Sequence, residues 1–406
     1  MAESTAYKGK SSKNIAKDAI KIPRLESLDV FRGLLIFLTI FIGDLSGPKD
    51  ISQFFCIEIN GSRFNLGDLI FSCFLLVMGM AVPYALEKRR QKGDSLLSVL
   101  FHVVLRTFAL LVMGMLIFKY HFFNGGYLSQ EWFGIIMVIS LFLIWNESSN
   151  IKGCFFWSIK ILGALLLSVL LWQYKWPESS NLLNECGMLG ILGWSYLICS
   201  LIFLFVRFNL VLSLLVVALA LLFYMSPVNQ IPYWEYIAQF SNLKPIEGIY
   251  IVFALIGATT GVLFFCFDEK SCFFKSLFPI LCGLILVSLA GAYWGTNHWS
   301  SLRQQITPSW LFLCNVVFFV SLTIFYWLIE VAGYKKVFSF LAYAGTASLT
   351  CYLIFYLCHC IQTLIGLFYP KVLYSGYFSL GRAFLFSMIV LLIACSLSKL
   401  KVKIKI

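Results

Sequence analysis

Two polar constellations interrupt an otherwise apolar chain, and both have residue types that hold or move charge. Asp29 and Arg32 lie three apart in the stretch Arg24-Leu25-Glu26-Ser27-Leu28-Asp29-Val30-Phe31-Arg32-Gly33, so on a helix they share a face and can pair. Gly33 follows directly, where the backbone can approach a neighbour or a ligand closely. His102 and Arg106 lie four apart inside another apolar run and also share a face. Arginine is always charged, so Arg106 needs a carboxylate, carbonyls or an anionic ligand at that depth. Ionisable side chains within membrane helices are functional candidates by default, although a structural ion pair at the bilayer boundary explains Asp29 and Arg32 equally well. Asp68 opens the run 66–87, where a carboxylate also meets the positive end of a helix. His298 stands beside Trp299 in a stretch read as an outer loop. His359 sits between Cys358 and Cys360, but consecutive positions point around a helix and not at one ion, so no metal is expected.

The elements that position these groups follow from composition. The chain has 406 residues, 60% hydrophobic and 12% charged, against about 25% charged in ordinary soluble domains. This is the composition of an integral membrane protein. Apolar runs of about 18 to 25 residues recur, which suits helices better than an outer-membrane barrel. About twelve are expected, with eleven or thirteen also allowed, among them 30–46, 66–87, 96–119, 343–366 and 380–398. The fold class is therefore all-α, a polytopic bundle. Lys and Arg are in roughly threefold excess in alternate connections and both tails, which places both termini in the cytoplasm. The net charge of +12 thus belongs to one membrane side and does not indicate nucleic acid. Residues 1–24 read as a disordered basic tail, 25–398 as the membrane domain and 399–406 as a second basic tail. The 13 Cys are odd in number and lie mostly in apolar runs, so they read as core packing. Gly257 and Gly261 form a small-xxx-small face for helix packing.

Residues 24–33 and the next two runs resemble the heparan-alpha-glucosaminide N-acetyltransferase family and its bacterial relatives. The family opening, Arg-Leu-x-Ser-x-Asp-x-Phe-Arg-Gly, is met at Arg24, Leu25, Ser27, Asp29, Phe31, Arg32 and Gly33. The second run matches with Asp68-Leu69-Ile70-Phe71 and Met78-Gly79, and the third with Arg106 and Gly114. Leu192–Leu197, Thr307–Trp310, Ala344–Thr346 and Leu349–Leu353 are similar to the bacterial branch. The resemblance implies an acetyl-CoA-dependent membrane acyltransferase. Such an enzyme would take acetyl (acyl) groups from cytosolic acyl-CoA and deliver them to an amino sugar or other glycan across a bacterial inner membrane. Asp29, Arg32, His102 and Arg106 would then hold the donor, the cations among them through charge-assisted bonds to its phosphates.

The departures fall at the outer end. The family has its catalytic His in the first outer loop, whereas no His stands between Asp44 and Asp68, and the counted position falls near Glu58. The Asn ending the family's first helix is replaced around Gly43-Asp44, a later Asn is Ala347, and a Pro is Ser72. Glu58 or Asp44 is therefore the expected base, with Asp68 nearby. A carboxylate performs that task at neutral pH only if its pKa is raised by about two units or more. The expected partners are acyl-CoA, a glycan or other small acceptor and the lipid bilayer, with a homodimer allowed. A catalytically diverged relative and a small-solute transporter are the alternatives. A transporter would show a midplane cavity and broken helices.

Overall fold

The computed structural model describes residues 25–45, 56–59, 62–121, 128–146, 154–173, 187–228, 245–267, 273–274, 276–298, 308–366, 370, 373, 376–400 and 404. The 1–24 tail and Trp299 lie outside these. The described chain is a helical bundle. In order the helices are α1 (Glu26–Leu45), α2 (Leu66–Gln91), α3 (Leu96–His121), α4 (Gln130–Trp145), α5 (Cys154–Gln173), α6 (Gly187–Val206) and α7 (Leu210–Val228). They continue as α8 (Pro245–Phe267), α9 (Leu277–His298), α10 (Pro308–Tyr326), α11 (Ser339–Thr346), α12 (Ser348–Ile365) and α13 (Gly376–Lys399). Eight are long and apolar enough to cross a membrane, and α4, α5 and α7 are apolar over shorter described lengths. Over the described residues the runs placed from hydropathy fall on helices, that at 343–366 on two.

Three features depart from a bundle of simple rods. A short antiparallel hairpin, β1 (Cys56–Ile59) and β2 (Ser62–Asn65), precedes α2 and sets Glu58 opposite Arg63 in register. The run expected as one helix over 343–366 is split at Ala347 (φ −116°, ψ 27°) into α11 and α12. A π-helical turn, Trp327–Val331, extends α10.

Lipid tails are as apolar as leucine, so helices in a membrane associate through close backbone packing and polar contacts. Both devices are present. α2 and α8 cross at small residues: a Cβ on Gly79 would strike the Ala254 carbonyl oxygen, and Cβ atoms on Gly257 and Gly261 would strike those of Leu76 and Met80. The Gly257/Gly261 face is thus a helix seam. α1 and α11 interlock in the same manner, with Gly33 against the Leu341 carbonyl and Gly345 against the Asp29 carbonyl. Gly33 therefore meets a neighbouring helix and not a ligand. Gly345→Leu is expected to lower stability by about 3 kcal/mol or more, read as the thermal midpoint of the detergent-solubilised protein.

Polar contacts fix the helix ends. Glu330, on the π-helical turn, has a side chain only 1% exposed. It accepts the Glu26 backbone N–H at 2.9 Å, satisfying one of the donors that the start of α1 leaves open and adding negative charge at its positive end. Lys335 Nζ lies 3.0 Å from Glu26 Oε1 and 4.0 Å from Glu330 Oε2. Beyond α13, Ile404 is buried and donates its N–H to Thr350 Oγ1 at 3.1 Å. It also bridges Asn146. Part of the basic C-terminal segment is therefore docked on the bundle.

Candidate functional site

α3 carries polar groups at both ends. At the end read as cytoplasmic, His102 and Arg106 face a cavity of about 400 Å³ whose walls include Arg89, Trp145 and Tyr196. The apolar periodicity of α3 turns Val99, Leu110 and Met113 into the core and leaves the His102–Arg106 face to line the cavity. The Arg106 guanidinium carbon lies 4.7 Å from the Tyr196 ring centroid, a cation–π contact. Among the described residues no carboxylate pairs with Arg106 or His102. Arg89 is 3.3 Å from Asp94. Two arginines and a histidine around one recess therefore present net positive charge with donors suited to phosphate oxygens.

Asp29 and Arg32 are elsewhere. They form the expected pair, Asp29 Oδ1 to Arg32 Nη1 at 3.7 Å, beside the α1–α11 crossing, and neither lines the cavity. Of the four residues expected to hold the donor, the structure brings together His102 and Arg106.

At the opposite end of α3 a second cluster forms from helices far apart in sequence. His121, the last residue of α3, has Nε2 3.2 Å from the Tyr356 hydroxyl. The Tyr356 hydroxyl is 3.1 Å from that of Tyr352, one turn back on α12. Tyr120 packs its ring edge-on to Tyr356 and accepts the Cys360 S–H at 3.3 Å. Asp44 closes α1 and is gripped by Arg382 of α13, whose Nη2 is 3.0 Å from Asp44 Oδ2 and donates to the Asp44 carbonyl at 2.9 Å. These two side chains are only 8% and 6% exposed. His359 stacks on Phe355 and lies near enough to both Asp44 and His121 to act on them electrostatically.

The expected outer carboxylates have different settings. Asp44 lies in this cluster, engaged with Arg382. Asp68 is exposed in the first turn of α2, and Ser72, where the family has Pro, donates to the Asp68 carbonyl at 2.9 Å. The side chains of Glu58 and His298 lie outside the described structure. Among the described residues no group of three or more His, Cys, Asp or Glu is placed to hold a metal ion.

Sequence reading missed His121, Tyr356, Arg382 and Glu330 as partners. A usable signal existed for the first: α3 carries two histidines, His102 and His121, near its opposite ends. The tyrosines at i and i+4 on α12 were a second signal.

No model of a known protein family matches the chain. A stretch of 95 residues is 28% identical to heparan-alpha-glucosaminide N-acetyltransferase of Homo sapiens. A stretch of 94 residues is 30% identical to the Mus musculus protein of the same name. Each match covers 23% of this chain and 14% of the relative. The chain thus shares a partial, distant similarity with an N-acetyltransferase.

Proposed function

We propose that the chain is a transmembrane acyltransferase that takes an acetyl or other acyl group from cytosolic acyl-CoA and passes it to an amino sugar or other envelope glycan on the far side of a bacterial inner membrane. The observation that carries this reading is the two-ended polarity of α3, with an arginine-lined cavity at one end and a histidine-centred cluster at the other. His102 and His121 are separated by roughly 28 Å at 1.5 Å rise per residue, close to the hydrocarbon thickness of about 30 Å.

Arg106, Arg89 and His102 hold the donor phosphates by charge-assisted bonds, and the Tyr196 ring steadies the Arg106 plane. The acyl-bearing arm extends along α3 toward the outer cluster. There His121 takes the proton of the acceptor amine or hydroxyl. The acceptor lone pair bonds to the thioester carbonyl carbon, the C–S bond breaks, and the leaving thiolate takes a proton from the imidazolium. Histidine suits this role better than Asp44, because its unperturbed pKa of about 6.5 already lies near neutrality.

Calorimetric titration of the purified protein with acetyl-CoA tests the donor site. Arg106→Ala removes one charged hydrogen-bond donor, so affinity is expected to fall by about tenfold to about 150-fold. Failure of the folded parent to bind at millimolar acetyl-CoA overturns the reading. The break at Ala347 is the one observation favouring a transporter, which would move a labelled solute without consuming CoA.

A further inference from the structure

We infer that Tyr352, which does not touch His121, sets the protonation geometry of that histidine through Tyr356; the functional consequence rests on the acyltransferase reading. Three polar atoms lie in a row, His121 Nε2, Tyr356 Oη and Tyr352 Oη, at 3.2 and 3.1 Å. The Tyr356 hydroxyl is in the middle and has one hydrogen to give. Given to His121, it makes Nε2 an acceptor and leaves the hydrogen of the neutral ring on Nδ1. Given to Tyr352, it leaves the Tyr356 oxygen to accept from Nε2–H, and Nδ1 keeps a bare lone pair. Only the second arrangement lets neutral His121 receive a proton at its outward nitrogen.

The surroundings favour that arrangement. Tyr352 and Tyr356 are successive turns of one helix, so their hydroxyls stay in register whenever α12 is intact. Their rings pack edge-on at 5.2 Å between centroids, and Tyr356 is buried and also packed against Tyr120. The Tyr352 oxygen is therefore held within reach of the Tyr356 hydrogen, at 3.1 Å. The Nε2–H form it selects is also the one neutral histidine ordinarily prefers in water. Tyr352 is thus a positioning residue, and the proton it places belongs to Tyr356. During transfer the acceptor lone pair bonds to the acyl carbon, the acceptor proton goes to Nδ1, the C–S bond breaks, and the leaving thiolate takes that proton from Nδ1. Nε2–H stays on Tyr356 throughout.

The chain has four histidines, which makes the test direct. Protein labelled with ¹⁵N-histidine is examined by NMR, with His121→Gln assigning the resonance, in the parent and in Tyr352→Phe, which removes a single oxygen atom. The parent is expected to show His121 protonated on Nε2. Tyr352→Phe frees the Tyr356 hydrogen to turn toward the ring, so the Nδ1–H population rises. The turnover number for acyl transfer falls about five- to tenfold, the change expected from one lost hydrogen bond, while KM for acyl-CoA and the thermal midpoint stay near the parent's. Tyr356→Phe, which loses the direct bond, should show at least as large a fall. A parent His121 protonated on Nδ1, or a tautomer unchanged in Tyr352→Phe, overturns the inference. A tautomer that shifts as expected in a parent that transfers no acyl group upholds the role of Tyr352 and overturns the acyltransferase reading.

Discussion

His121→Ala is expected to lower the rate of acyl transfer by about 100- to 10,000-fold, the range removed when a general base is lost, while acetyl-CoA binding is retained. The two effects separate because the residue lies about 28 Å along α3 from His102, which lines the Arg106 cavity. Truncation leaves Tyr356 still bonded to Tyr352, so the α12 side of the cluster keeps its hydrogen bond and the fold is expected to survive. Steady-state transfer to an amine acceptor, paired with calorimetric titration of acetyl-CoA, reads both quantities on one preparation. His359→Ala is the control. It stacks on Phe355 and acts on the site only through its field, so its replacement should cost far less. A His121→Ala protein with parental turnover would return the base role to a carboxylate.

The second large effect concerns Asp44 and Arg382. Their side chains are 8% and 6% exposed and joined at 3.0 Å. Arg382→Met leaves the Asp44 carboxylate without its guanidinium in a largely dry site, which is expected to lower stability by about 3–5 kcal/mol. Removing both charges together in Asp44→Leu/Arg382→Met should recover most of that loss, since an apolar pair of similar volume is often as stable as a buried ion pair. The double variant also decides what Asp44 does. With Asp44 as a structural tie between α1 and α13, the restored protein transfers acyl groups. With Asp44 as the base, it is stable and inactive. Thermal unfolding in detergent and the transfer assay give the two readouts.

Helix placement was legible because twenty-odd apolar residues in a row have few alternatives in a membrane. The contacts that define the site were not, because they join residues remote in sequence. Arg382 reaches Asp44 across 338 positions, His121 reaches Tyr356 across 235 and Glu330 caps α1 across 304. No local periodicity encodes such pairings. Arg106 was readable because a charge inside an apolar run is conspicuous whatever its partner. His121 was not, because a polar residue at a helix end looks ordinary until the tyrosine opposite it is known. Part of the Arg24–Gly33 stretch has a packing role: Gly33 and the Asp29 carbonyl form the α1 side of its crossing with α11. Ala347 shows the limit of hydropathy most plainly, since the run on either side is apolar enough to be read as one helix while the backbone breaks there.

The central claim is that one acyl group enters at the Arg106 cavity and leaves at the His121 cluster. Purified protein oriented in sealed vesicles, supplied with acyl-labelled CoA on its cytoplasmic face and an impermeant amino sugar on the other, tests this directly. Labelled acyl product is expected only in the compartment holding the amino sugar, with one free CoA formed per product on the donor side and about tenfold to 150-fold less of both from Arg106→Ala at limiting donor. Product formed only when donor and acceptor share a compartment, or label crossing with CoA still attached, would contradict it.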